Sequence, residues 1–192
     1  MAKIGEIYLG GNDGHTTSKK AYPSGMAFYL TKSSPFSEIS QTDDGKWELE
    51  VKQNHQVIVA RSMEFVPIEQ ILSEGYSHCQ KFLDLLAISH HNPIMIKNPG
   101  TDFVALFDQD STCILRESSN ADLGVATSAT LTIYDKNGNI KKNPPEPKPQ
   151  WIPAFRYYRL SQSSSDLYEA YRNLFLSFES LLYGICPVNS GE

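Results

Sequence analysis

Apolar and polar positions divide the chain into a region of short alternating runs and a region of helical spacing. Between Ile4 and Met63, residues 4–9 and 26–31 form apolar or alternating runs, and Glu38–Ser40 forms a weaker one. Thr42-Asp43-Asp44-Gly45 then supplies residues that tolerate positive φ, as a tight hairpin turn needs. Lys46–Val51 follows with a period of two, Trp47, Leu49 and Val51 on one face and Glu48 and Glu50 on the other, and the chain returns as Val57–Arg61. The pattern predicts a β-meander.

From Pro67 to Leu86 the spacing changes. Ile68, Ile71, Leu72, Cys79, Phe82, Leu83 and Leu86 recur every three or four residues and predict a helix, with Pro67 suited to its first turn. Strands are predicted again at Asp102–Phe107, Thr112–Arg116 and Ala126–Tyr134, with turn signals at Asp108-Gln109-Asp110 and Asp135-Lys136-Asn137-Gly138. Seven or so strands around one long helix imply an α+β fold with a mostly antiparallel β N-terminal domain, assigned to residues 1–142.

Residues 143–150 read as a Pro-rich linker, because Asn143-Pro144-Pro145-Glu146-Pro147-Lys148-Pro149 lacks the donors for a sheet ladder and favours polyproline II. Residues 151–192 read as a C-terminal helical segment. Leu167, Ala170, Tyr171, Leu174, Phe175, Phe178, Leu181 and Leu182 make one wide aromatic stripe, with Ser163 and Asp166 spaced as a capping box, and Trp151–Gln162 leads into it. So wide a stripe calls for docking on the first domain, a second chain or further helices, which makes Leu167, Tyr171, Leu174, Phe175 and Phe178 candidate interface residues.

Seventeen basic against 22 acidic residues give a formal charge of −5 without a long run of one sign, which disfavours generic phosphate-backbone binding by the whole chain. Cys79, Cys113 and Cys186 are odd in number and lack C-x-x-C spacing, so a reducing, cytoplasmic setting is expected. No apolar run approaches the length of a membrane span, and no membrane partner is expected.

Candidate chemistry is sparse. Gly10, Gly11 and Gly14 follow a strand and form a weak candidate ligand loop, without the spacing of a phosphate-binding motif. His90 and His91 fit a helix end better than a metal site, Cys79 fits apolar packing better than catalysis, and Asp43–Asp44 and Asp108–Asp110 fit turns. No catalytic residue, metal ligand set or cofactor is therefore assigned. Phe155-Arg156-Tyr157-Tyr158-Arg159-Leu160-Ser161-Gln162 interleaves arginines and tyrosines. Arg156, Tyr157, Tyr158, Arg159 and Gln162 are candidates for stacking bases and holding phosphate, against the alternative of a hinge in which an arginine pairs with an acid.

Trp151-Ile152-Pro153-Ala154, the segment Phe155–Gln162 and Ser163-Ser164, with Asp166-Leu167, Ala170-Tyr171-Arg172-Asn173 and Phe178-Glu179-Ser180-Leu181-Leu182, resemble MauJ-like proteins of the methylamine-utilisation type. The same stretch, 151–183, is similar to the opening helices of HEPN domains of the ApeA-like kind. The HEPN resemblance implies a link to metal-independent RNA cleavage or nucleotide binding, often in phage defence, through an Arg-x(4–6)-His motif. Here the last histidine is His91, ahead of the resembling region, so ribonuclease activity is expected only of a longer parent protein. The expected function is a noncatalytic recognition or regulatory module, partnered by a protein, by self-association or by missing C-terminal helices. RNA or a nucleotide would be reached through the parent. The alternatives are a small-molecule-binding accessory protein of amine metabolism, as the MauJ resemblance implies, and a structural partner-binding protein.

Overall fold

A computed structural model describes residues 2–4, 7–10, 22–100, 102–107, 112–116 and 149–186. The predicted strand Ala126–Tyr134, most of the linker, and Gly11 and Gly14 of the loop lie outside these residues.

The central layer is a six-stranded antiparallel sheet of β3 (Ser24–Tyr29), β4 (Glu38–Gln41), β5 (Trp47–Val51), β6 (Val57–Ser62), β7 (Phe103–Phe107) and β8 (Thr112–Arg116), in the order β4-β5-β6-β3-β7-β8. The turn expected at Thr42–Gly45 joins β4 to β5. Gly45 adopts φ 69° there, and its N–H donates to the Thr42 carbonyl at 2.8 Å. Period-two alternation sends Trp47, Leu49 and Val51 to one face with Met26, Phe28, Ile58 and Ala60.

Helix α1 (Ile68–His90) covers that face, contributing Ile71, Cys79, Phe82, Leu83 and Leu86 to the core. It continues one turn past Leu86 and ends on His91, whose φ of 49° is the left-handed stop that closes many helices. His90 stacks on Phe36, ring centroids 4.0 Å apart, so the two histidines belong to the helix end. Gly75 sets the spacing of the layer: a Cβ there would sit 2.0 Å from the Met26 sulfur.

The opposite face departs from the sequence pattern. The run 4–9, expected as one strand, is divided between β1 (Ala2–Ile4) and β2 (Ile7–Gly10), antiparallel with Ile4 opposite Ile7. Ile7 and Leu9 of β2 pack on Ala27, Val57, Val59 and Val104. The contact is close enough that a Cβ on Gly25 would lie 2.2 Å from the Leu9 carbonyl oxygen, which only glycine permits. Arg61 is buried on this face, donating to the Tyr8 carbonyl at 3.0 Å and pairing with Glu50.

The segment after the linker forms two helices, α2 (Pro153–Ser163) and α3 (Leu167–Ile185). Pro153 opens α2 where its missing N–H costs nothing. Asp166 caps α3, accepting the Glu169 N–H at 2.8 Å; Ser163, expected as part of that cap, instead ends α2 by donating its hydroxyl to the Arg159 carbonyl. No helix among the described residues is long and apolar enough to cross a membrane.

Candidate functional site: a polar junction and an outward helical seam

Helix α2 is held to α1 by a buried ionic cluster. Asp84, on α1, accepts from Arg159 Nε at 2.7 Å, from Arg156 Nε at 2.9 Å and from Trp151 Nε1 at 2.9 Å. Arg159 has no exposed surface. Its remaining donors reach the Ile94 carbonyl at 2.8 Å, the Met95 sulfur at 3.1 Å and the Gln80 side-chain oxygen. Burial pulls the Arg159 pKa down, and the Asp84 carboxylate opposes that pull. A guanidinium remains protonated even so.

This geometry takes Arg159 out of reach of phosphate from solvent, and it engages the Nε of Arg156. The arginines serve the ion-paired alternative. Buried charges persist only where partnered, and here Asp84 and Gln80 are the partners. Arg156 and Arg159 meet at Asp84, whereas Tyr158 lines a groove against α3, Tyr157 is half-buried and Gln162 is exposed. Gly10, from the weak ligand loop, ends β2.

Helix α3 departs from the usual rule for a surface helix. The row it covers runs Ala170, Asn173, Ser177 and Ser180, with Leu176 beside it. Ser177, at its middle and buried, donates to the Ala154 carbonyl of α2 at 2.9 Å. Small side chains let two helices approach closely, and α2 takes the small side. The large side chains are left outside. Leu167, Tyr171, Leu174, Phe178, Leu181 and Ile185 are spaced 4-3-4-3-4, the a/d repeat of a coiled-coil seam, and stand between 39% and 85% exposed. Phe175 and Leu182 widen the stripe. An apolar groove of about 400 Å³ runs beside it, lined by Tyr158 of α2 and by Tyr171, Leu174, Phe175 and Phe178 of α3. The structure thus brings Tyr158 together with all the candidate stripe residues except Leu167, which lies at the seam's N-terminal end.

A second concavity, of about 320 Å³, lies between the β4–β5 turn and α1. Gln41, Asp43, Asp44, His78, Lys81 and Trp151 are among its lining residues. Lys81 Nζ lies 5.2 Å from the centre of the Trp151 ring, within cation–π range, and His78 packs against Trp47 with ring centroids 5.4 Å apart. Burial, then Lys81, push the His78 pKa down; the Thr42 hydroxyl and the Lys46 N–H pull that of Asp44 down. Asp44 also orders the turn, accepting from Lys46 N at 3.0 Å.

Sequence reasoning found the α3 stripe but missed Asp84, Gln80, His78, Lys81 and Trp151. Gln80 and Asp84 are four apart on α1, off the apolar stripe, which is the spacing of a second, polar face able to receive another helix. Among the described residues no group of His, Cys, Asp and Glu is arranged to hold a metal ion. Burial pushes the Cys79 thiol well above its ordinary pKa, which removes the thiolate a nucleophile needs. Comparison with family models, with curated proteins and with solved structures finds no match to this chain.

Proposed function

We propose that the chain is a noncatalytic recognition or regulatory module whose α+β body displays a helical hairpin for assembly with other helices. One observation carries this reading: α3 docks on α2 through its small, polar row and turns its heptad seam outward. Burial of large apolar side chains is the main favourable term in folding. A helix needed only to cap this domain would bury the other side. The resemblance of 151–183 to the opening of a HEPN-like bundle agrees with this proposal, since an opening helical pair is completed by further helices. RNA-directed, defence-related work would then belong to the completed assembly.

The test replaces seam residues one at a time. Leu174→Asp and Phe178→Asp are expected to abolish association while leaving the far-UV circular dichroism unchanged and, at protein concentrations low enough that the wild type is also dissociated, the unfolding free energy within about 0.5 kcal/mol of wild type, as surface substitutions do. A loss of several kcal/mol would mean that the seam is core, and the reading would fail.

A second reading, an accessory protein binding a small molecule, is favoured by the cleft at Trp151, because its volume falls at the low end of ligand pockets and its wall combines an indole with Lys81 and His78. A thermal-shift screen of amines and nucleotides separates the two, since a ligand that binds only the native state raises the melting temperature. Stabilisation by an amine that disappears in Trp151→Ala and persists in Leu174→Asp would favour this second reading.

A further inference from the structure

The α3 seam has properties that select its occupant. Eight large hydrophobic side chains, the six of the seam with Phe175 and Leu182, stand 39% to 85% exposed. At roughly 150–250 Å² for each large side chain, they leave on the order of 1,000 Å² of apolar surface open. A monomer seldom tolerates more than a few hundred Å² in one patch, and a stable interface takes about 800 Å² from each side. The area therefore meets the requirement of a protein–protein interface without help from other parts of the chain.

The order of residues adds a second constraint. Reversing the seam about Leu176 brings Leu167 opposite Ile185, Tyr171 opposite Leu181 and Leu174 opposite Phe178. The central layers then each combine one aromatic with one aliphatic side chain, and the outer layers are aliphatic. A parallel pairing in register would instead set Tyr171 against Tyr171 and Phe178 against Phe178, alternating crowded and thin layers. Even filling of successive layers is what close packing demands. Antiparallel axes also place opposite helix dipoles side by side. Charge offers no obstacle: Glu169 and Arg172 neutralise each other within one helix at 2.9 Å, and the helix's other charged residue, Glu179, is not a seam position.

We infer that the seam's occupant is a second copy of this chain, α3 lying antiparallel to α3 across a two-fold axis near Leu176, with α2 of each copy completing a four-helix bundle. The inference rests on the assembly reading above and names its partner. A two-fold contact uses the same patch on both copies, which the reversal symmetry of the seam satisfies.

The full chain, purified, is followed by light scattering across a hundredfold range of concentration. The expected mass is twice 21.5 kDa, falling toward a single copy on dilution. Leu174→Asp combined with Phe178→Asp should weaken the dimer by roughly 100-fold or more. Should that variant not fold, a second measurement decides on the intact seam. Ser165→Cys should form a disulfide with Cys186 of the second copy under mild oxidation, since reversal about Leu176 brings residues 165 and 186 to the same end. A Cys186–Cys186 disulfide in the wild type would overturn the antiparallel arrangement, as would a dimer indifferent to both Asp substitutions. A monomer whose seam binds a hydrophobic dye, with binding lost on Phe178→Asp, would overturn the second copy and leave the assembly reading standing. A monomer whose seam binds no dye would overturn both.

Discussion

Removing the Asp84 carboxylate tests the account of how α2 is held. In the native state Asp84 is fully buried and accepts three hydrogen bonds, two from guanidinium groups at 2.7 and 2.9 Å and one from the Trp151 indole at 2.9 Å. Asp84→Ala leaves the Arg159 guanidinium in the interior with only a backbone carbonyl, a thioether and the Gln80 amide as acceptors. Breaking a buried pair by deleting one partner costs about 3–5 kcal/mol, because the surviving charge is desolvated without compensation. For a chain of this length that corresponds to a fall in Tm on the order of 10 °C.

Asp84→Asn keeps an acceptor oxygen and should lose about 1.5–3 kcal/mol, the range for hydrogen bonds to charged groups. Replacing both partners, as in Asp84→Leu with Arg159→Leu, should recover most of the single-variant loss, since apolar replacement of a buried pair is often neutral or better. Urea titration followed by circular dichroism and by tryptophan fluorescence reads both the global transition and any separate release of the helix carrying Arg159. A cost below about 1 kcal/mol for Asp84→Ala, with an unchanged m-value, would refute the claim that this ion pair is buried and formed.

Three further outcomes follow from the geometry. Gly25→Ala should destabilise more than Gly75→Ala, because the first sets a Cβ against the fixed Leu9 carbonyl and the second against the flexible Met26 side chain; urea midpoints rank them, and the reverse order would contradict the close crossing of β2 over β3. The depressed pKa of His78 means that the unfolded chain takes up its proton first as pH falls. Stability present above the ordinary histidine value near 6.5 should therefore decline as pH drops toward the folded value, and His78→Gln should flatten that part of the stability–pH curve. Native-state alkylation should modify exposed Cys186 rapidly and buried Cys79 only on unfolding, with peptide mapping as the readout.

The sheet was legible in the sequence because alternation reports directly on a half-buried strand. Trp47, Leu49 and Val51 announced both the strand and the face it buries, and Asp44-Gly45 announced the turn before it. The division of residues 4–9 escapes a reading of the six as one run, although Gly5-Glu6 between Ile4 and Ile7 has the composition of a two-residue hairpin loop. The α3 stripe was visible as amphipathicity, but its direction was not: periodicity identifies a large apolar face and leaves open whether it meets its own domain, a second chain or further helices, whereas Ser177 shows that it is the small face that docks on α2. Asp84 was invisible for another reason. A single carboxylate off the apolar stripe reads as a solvated surface residue until a distant arginine is brought against it.

The polar character of the α1–α2 junction and the apolar character of the α3 seam bear on one another. Had α2 been attached through leucines, nothing in the chemistry would distinguish that attachment from one in which the seam of α3 folds back onto α1, since apolar surfaces pair with little directionality. The Arg159 guanidinium admits far fewer arrangements. Its Nε must meet Asp84 while its two terminal nitrogens reach the Ile94 carbonyl and the Gln80 amide, and a slip of one helical turn would leave a buried charge unpaired. A penalty of several kcal/mol on misdocked arrangements is comparable with what the seam would gain by burying two or three of its side chains on its own body. The ionic junction thus holds α2 in one orientation, α2 holds the small row of α3, and the seam is kept facing outward.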